Sequence, residues 1–206
     1  MKDLVLLVAD RNQEAAMKAL LGRHRCLGIR QLDFDTYVHP HHDPGCFREA
    51  HNFLRPMRGE YHHALVLFDA SWEGAPSQDP TSLEQAVRER LRQADMGVWA
   101  DVVVIAPELE VWVWSDSPHV DEALGWAGRV PGLRRRLAEE DLWPDAMTKP
   151  PDPKRAVEWA LQQAKVARES RVYAKLASTV GVERCADAAF QRLRNRLMSW
   201  FPEESA

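Results

Sequence analysis

The sequence has few cysteines and no long apolar run, and both absences narrow the class of protein. Its three cysteines, at positions 26, 46 and 185, are widely separated and form no CxxC pair. This number and spacing argue against a disulfide framework and predict a reducing compartment, the cytoplasm. No stretch approaches the roughly 18 apolar residues that a membrane-spanning helix needs. The charged start, Met1-Lys2-Asp3, is not typical of a secretory signal, so we expect a cytoplasmic protein with no membrane contact.

The chain also lacks an excess of positive charge. Asp and Glu outnumber Lys and Arg by 31 to 27, which gives a formal net charge of −4. Such a chain has no general attraction to nucleic acid, so any contact with DNA phosphates must come from a local basic patch. The basic residues that could form one are concentrated near the C-terminus: Lys154, Arg155, Lys165, Arg168, Arg171, Lys175, Arg184, Arg192, Arg194 and Arg196. The alternative is that they line the solvent faces of helices.

Several catalytic motifs are missing as well. The sequence contains no GxSxG elbow, Walker A loop, HExxH pair or GxGxxG loop. The segment 38–46 holds His39, His41, His42 and Cys46 and invites a zinc hypothesis, but its spacing matches no structural zinc signature. Its prolines and glycine predict a rigid loop instead.

Three apolar runs that each end in a carboxylate organise the chain. They precede Asp10, Asp69 and Glu108, and each is rich in Val, Leu, Ile or Ala. Continuous apolar runs of this length predict strands buried on both faces of a parallel sheet. Because the carboxyl ends of parallel strands share one edge, we expect these acids to lie near one another. The alternative for each acid is to cap the helix that follows its strand.

The remaining patterns predict an α/β fold: a mostly parallel four-stranded sheet with flanking helices and a helical C-terminal half. The predicted strands are residues 4–9, 26–34, 63–69 and 98–106, and the predicted helices are residues 14–21, 47–54, 81–94, 107–114, 120–126, 132–140, 154–169, 171–180 and 187–201. Thr81-Ser82-Leu83-Glu84 offers a capping box for the third helix. We divide the chain into an α/β domain, residues 1–148, and a helical extension, residues 149–206, packed on it as one structural unit.

Carboxylates gathered at a sheet edge predict a divalent-metal site. Mg²⁺ takes oxygen ligands, usually from one or two carboxylates, waters and substrate phosphates, and Mn²⁺ is the natural substitute. The candidate metal ligands are Asp10, Asp69, Glu108 and Glu110. In phosphodiester cleavage such metals stabilise the attacking and leaving oxygens. The candidate catalytic residues are Asp69, Glu73 and Glu108.

Several segments together resemble a small family of TOPRIM-like proteins encoded in prokaryotic methylation-associated defence clusters. TOPRIM is the fold of topoisomerases, primases and OLD-type nucleases. The segments are 43–46, 67–74, 107–118, 124–126, 149–154 and 184–190, so the resemblance runs along nearly the whole chain. Its most specific part is Pro107-Glu108-Leu109-Glu110-Val111-Trp112-Val113-Trp114-Ser115-Asp116-Ser117-Pro118. The resemblance implies a TOPRIM-like fold, a role in antiviral defence, other defence-system proteins as partners, and DNA as a candidate substrate.

Two positions depart from the pattern of a catalytic TOPRIM. Such a site has a Glu at the end of the first strand, where this chain has Ala9-Asp10, and Asp-x-Asp at the central strand, where it has Asp69-Ala70-Ser71. A serine hydroxyl is a poor replacement for a carboxylate ligand. The sequence therefore supports two main hypotheses: a Mg²⁺-dependent nuclease of a defence system, and a non-catalytic binding or regulatory subunit with a degenerate site. A third is a nucleotide-sensing role, since the same edge could accept a phosphate through a metal. The oligomeric state does not follow from the sequence.

Overall fold

The computed structural model describes residues 1–115, 117–181 and 185–203. Its strands are β1 (Lys2–Val8), β2 (Phe34–Val38), β3 (Tyr61–Asp69) and β4 (Ala100–Ile105). Its α-helices are α1 (Arg11–Leu21), α2 (His24–Leu27), α3 (His42–Leu54), α4 (Pro80–Gln93), α5 (Pro118–Ala123), α6 (Leu133–Glu139), α7 (Pro153–Ala164), α8 (Ser170–Thr179) and α9 (Ala188–Trp200). Short 3-10 helices span Arg55–Met57 and Leu109–Trp112. Asp116 and Arg184, which belong to segments of the family resemblance, lie outside the described residues.

The four strands form one parallel sheet in the order β2-β1-β3-β4. Val8 at the end of β1 pairs with Val38 of β2 and Leu67 of β3, and Asp69 pairs with Ile105 of β4. The chain leaves β1 toward one side for β2 and returns to the other side for β3. This reversal creates a topological switch point between β1 and β3, where open α/β sheets bind their ligands. The predicted α/β class and parallel four-stranded sheet are confirmed.

Both faces of the sheet are covered, as parallel strands require. On one face, Leu65 and Leu67 of β3 belong to a core shared with α1 and the C-terminal helices α7, α8 and α9. On the other face, Val66 and Phe68 pack with α3 and α4. All of these strand side chains are fully buried, which explains why the run lacks polar alternation. Within the described ranges, no helix is both long enough and apolar enough to cross a membrane.

The predicted second strand at 26–34 is wrong. Residues 24–27 form α2, and Gly28, with a φ of 72°, ends it in the left-handed conformation that glycine adopts without strain. Arg30 and Asp33 then both bond to the Asp3 carboxylate, Arg30 at 2.5 and 3.0 Å and the Asp33 N–H at 2.8 Å. The strand begins only at Phe34. The polar residues in the predicted run therefore mark a connection that is tied to β1.

The predicted loop at 38–46 is also wrong beyond residue 41, because α3 begins at His42. Pro44 does not break this helix, since the N–H groups of a first helical turn have no acceptor within the helix. Gly45 is required by close packing: a Cβ there would lie 2.0 Å from Nδ1 of the buried His39 ring. The predicted loop is thus the packed first turn of a helix.

Other boundaries shift for local reasons. The predicted capping box at 81–84 is wrong, because α4 begins at Pro80 and its N-cap is Asp79, which accepts from the N–H groups of Thr81 and Ser82. The predicted helix at 107–114 is reduced to the 3-10 turn Leu109–Trp112. The helix predicted at 154–169 stops at Ala164, because Lys165 adopts a φ of 58°.

Candidate functional site

Asp69 ends β3 at the switch point, and a buried glutamine of α1 holds it. Nε2 of Gln13 donates to Oδ1 of Asp69 at 2.9 Å. Oε1 of the same amide accepts from the backbone N–H of Ala9 at 3.0 Å. Gln13 is fully buried, so its amide is satisfied on both sides and fixes the end of β1 against the end of β3.

Two further carboxylates reach the same edge. Asp10 caps α1, with Oδ1 accepting from the N–H groups of Asn12 and Gln13 at 2.8 Å each. Asp43 stands in the first turn of α3, and its Oδ1 accepts from the backbone N–H of Asp69 at 2.9 Å. We call Asp10, Asp43 and Asp69 the carboxylate cluster. All three residues are partly exposed, so solvent reaches this edge of the sheet.

The carboxylates of the cluster repel one another when they are ionised. Burial, followed by the charges of Asp43, Glu110 and Asp10, raises the pKa of Asp69 well above its usual value. Burial first and the charge of Asp10 second raise the pKa of Asp43, against the hydrogen bond from the Asp69 N–H. In the described part of the chain, the nearby basic side chains pair with other carboxylates, among them Lys18 with Glu14, Lys154 with Glu108 and Arg168 with Glu110. The free energy of this edge would therefore fall if a cation bound there.

Glu108 and Glu110 are bound to basic residues of the C-terminal helices. Nζ of Lys154 lies 3.0 Å from Oε2 of Glu108. Oε1 of the buried Glu110 accepts from the Tyr173 hydroxyl at 2.6 Å and from Arg168 at 2.8 Å. The structure thus brings together Asp10 and Asp69 of the predicted site and commits Glu108 and Glu110 to ion pairs. Glu73 is exposed in the loop after β3.

The histidine-rich segment does not converge on Cys46. His39 is buried, and its Nδ1 accepts from the backbone N–H of His41 at 3.1 Å. Nδ1 of His42 lies 3.0 Å from the carbonyl oxygen of Ala9, and Nδ1 of His41 lies 3.5 Å from Glu49. Burial and the neighbouring carboxylates raise the pKa of the Cys46 thiol well above its usual value. These side chains have structural partners, which argues against zinc ligation and against a nucleophilic Cys46.

A cation at the carboxylate cluster would need ligands from outside the protein. Among the residues that the structure describes, no three His, Cys, Asp or Glu side chains are grouped as a complete metal site. The donor set that is present, carboxylate oxygens near solvent, suits Mg²⁺ or Mn²⁺, which bind through one or two carboxylates and keep waters or phosphate oxygens. Asp43 and Asp69 could hold such a cation directly. These carboxylates therefore suit a cation that keeps part of its hydration shell, and not one that is coordinated by protein atoms alone.

Several of the basic residues considered as phosphate contacts already form ion pairs within the chain. Arg192 pairs with Glu84 and Arg196 with Asp101 on the far side of β4. Lys154 and Arg168 pair with Glu108 and Glu110, beside the carboxylate cluster. Arg184 lies outside the described residues. A phosphate ligand at this edge would therefore depend chiefly on a cation.

Asp43 is the residue that sequence reasoning missed as a member of this cluster. It follows β2, which is partly exposed, whereas Asp10 and Asp69 directly follow the fully buried apolar runs 4–9 and 64–68. The available signal was its place in the first turn of α3, directly after β2, the second parallel strand of the chain. A scan against protein-family models, a search of curated proteins and a search of solved structures each found no match for this chain.

Proposed function

We propose that this protein is a Mg²⁺-binding component of a prokaryotic antiviral defence system that acts in the cytoplasm. The observation that carries the proposal is the carboxylate cluster at the β1/β3 switch point, where burial and the mutual charge of the carboxylates raise the pKa of Asp69 and of Asp43. The resemblance of segments such as 107–118 to methylation-associated TOPRIM-like proteins supports the defence setting. Other proteins of the same system are the proposed partners.

In this proposal Asp69 and Asp43 hold the cation, and Mn²⁺ can replace Mg²⁺. The bound cation would polarise phosphoryl oxygens and orient water. Gln13 keeps the Asp69 carboxylate turned toward β1 through its 2.9 Å hydrogen bond, and Asp10 adds negative charge while fixing the start of α1. The proposed ligand is a phosphate-containing molecule, with a DNA phosphodiester as the candidate substrate. Glu73, which is exposed beside this edge, is the candidate general base.

A second candidate function is a non-catalytic binding or regulatory subunit with a degenerate TOPRIM-like site. Ala9 is buried where the TOPRIM pattern has a glutamate. The hydroxyl of Ser71 donates to Gln78 at 2.8 Å and supplies no carboxylate. Glu108 and Glu110 form ion pairs with Lys154 and Arg168. These observations favour a subunit that binds a phosphate ligand through a cation without cleaving it.

A phage challenge of cells carrying the gene in its genomic neighbourhood separates these functions. The test variant is Asp43→Asn with Asp69→Asn, and the matched controls are wild type and Glu89→Gln, which neutralises an exposed carboxylate of α4 outside the cluster. We expect the double variant to lose protection and Glu89→Gln to keep it. Equal protection by all three chains would overturn the proposed cation site. Loss of protection in Glu73→Gln would favour nuclease activity, and full protection in Glu73→Gln would favour the binding subunit.

A further inference from the structure

The outer edge of the sheet at β4 carries backbone groups that need partners. In a parallel sheet, the N–H and C=O of one residue point to the same neighbouring strand, and those of the next residue point to the opposite side. The N–H of Ala64 donates to the Trp99 carbonyl and the N–H of Ala70 to the Ile105 carbonyl. The odd-numbered residues of β4 therefore face β3, and Ala100, Val102 and Val104 face away from the sheet.

Each outward N–H group of β4 has an acceptor within the chain. The N–H of Val102 donates to Oδ1 of Asp101 at 2.8 Å. The N–H of Val104 donates to Oε1 of Glu84, in α4, at 3.0 Å. The N–H of Ala100 donates to the Met96 carbonyl at 2.8 Å. Within residues 100–105, β4 therefore offers no unpaired outward N–H group with which a fifth strand could form a hydrogen bond.

The outward carbonyl groups of the same valines are also occupied. Arg88 of α4 donates to the Val102 carbonyl at 3.0 Å. Arg192 of α9, which is 88 positions further along the chain, donates to the Val104 carbonyl at 3.2 Å. Side chains of α4 and α9 thus satisfy the Val104 N–H and the carbonyls of Val102 and Val104, while Asp101 and the Met96 carbonyl accept from the other two N–H groups.

The side chains at this edge neutralise one another. Glu84 pairs with Arg88 and Arg192, at 3.2 and 2.9 Å. Asp101 pairs with Arg88 at 2.7 Å and with Arg196. Glu84 is 2% exposed and Asp101 is 6% exposed. Burying these carboxylates costs desolvation free energy, which their ion pairs and their hydrogen bonds to the backbone of β4 offset.

We infer that these five side chains, Glu84, Arg88, Asp101, Arg192 and Arg196, form an edge lock that takes the place of a fifth strand. The edge lock closes β4 to strand addition by another chain, whether a second copy of this protein or an extended segment of a partner. Open sheet edges template such pairing, and natural proteins block them with charged side chains. This inference does not depend on the carboxylate cluster or on the proposed function.

The test variant is Glu84→Ala with Arg192→Ala, which frees the N–H and C=O of Val104. The matched control is Leu137→Ala, a buried residue of α6 that lies outside the edge lock and whose loss also destabilises the fold. Light scattering coupled to size-exclusion chromatography gives the mass of each folded chain over a range of concentrations. We expect the mass of the double variant to rise by about twofold or more with concentration, as edge pairing requires, while Leu137→Ala keeps the wild-type mass.

A folded double variant with the wild-type mass at every concentration would overturn the inference. Equal self-association of Leu137→Ala would also overturn it, because general destabilisation would then be sufficient. If the double variant does not fold, Arg192→Ala alone replaces it, with the same two outcomes. Glu84→Gln, which keeps an acceptor for the Val104 N–H, should remain at the wild-type mass.

Discussion

Replacement of Asp69 by asparagine should stabilise the metal-free protein at neutral pH. The change keeps an oxygen that accepts from Gln13 Nε2, which lies 2.9 Å from Oδ1 in the wild type. It removes a charge that burial and the neighbours Asp43, Glu110 and Asp10 disfavour. Most core substitutions destabilise a protein, so a gain in stability at a partly buried position would be a specific signature of electrostatic repulsion in the folded state.

The sign of the pH dependence follows from the raised pKa of Asp69 in the folded protein. In the unfolded chain this carboxyl ionises near its ordinary pKa, whereas in the folded protein it stays protonated to higher pH. Stability is therefore lost as the pH rises from the unfolded to the folded pKa, and the loss is complete above the folded pKa. A tenfold difference in proton affinity between the two states is worth about 1.4 kcal/mol. We expect Asp69→Asn to be more stable than wild type at pH 7 to 8 and to lose this advantage toward pH 4.

Urea unfolding of both chains at pH 4 and pH 8, in the presence of a chelator, measures this difference. Saturating Mg²⁺ should then reverse the order, because a cation at ten times its dissociation constant stabilises the folded wild type by about 1.4 kcal/mol and has no comparable effect on the variant. Glu73→Gln, at an exposed carboxylate, serves as the control and should follow wild type. An equal loss of stability in Asp69→Asn at both pH values would refute the account of the carboxylate cluster.

Three other substitutions test the packing around the site, each by its free energy of unfolding in urea. Gly45→Ala should cost about 2 kcal/mol through overpacking, because the new Cβ would overlap the buried His39 ring; a gain of about 1 kcal/mol, as expected for an open helical position, would contradict this. Gln13→Met should cost about 2 kcal/mol by leaving the Ala9 N–H without its acceptor, and an unchanged value would show that water replaces the amide. Glu110→Gln should cost about 2 kcal/mol by weakening its hydrogen bonds with charged partners, whereas a neutral result would mean that Arg168 is satisfied by other groups.

The strands that are buried on both faces could be predicted from the sequence, and the partly exposed strand β2 could not. The runs that became β1, β3 and β4 are buried on both faces, so their apolar character is continuous. In contrast, β2 is a partly exposed edge strand whose side chains include Asp35 and Thr36. The apolar pattern of β2 is weaker than that of the preceding segment, which contains Cys26, Leu27 and Ile29. These three residues belong to α2 and to the connection that follows it.

The candidate site could be predicted only where the sheet itself sets the position of a residue. The positions of Asp10 and Asp69 follow from the common edge that parallel strands share. The partners of Glu108 are set by tertiary docking: Lys154 is far away in sequence and reaches Glu108 only when α7 packs on the sheet. The sequence did not point to Asp43 because the neighbouring Pro44 indicates a loop. A proline is also compatible with the first turn of a helix, which is where Pro44 lies.

Calorimetric titration of Mg²⁺ or Mn²⁺ tests the central claim most directly, that the carboxylate cluster binds a divalent cation. The titrated chains are wild type, Asp43→Asn with Asp69→Asn, and Glu73→Gln as the matched control. Saturable binding at millimolar metal by wild type and Glu73→Gln, absent in the double variant, is the predicted result. Binding of equal strength in all three chains, or no binding in wild type, would contradict the claim.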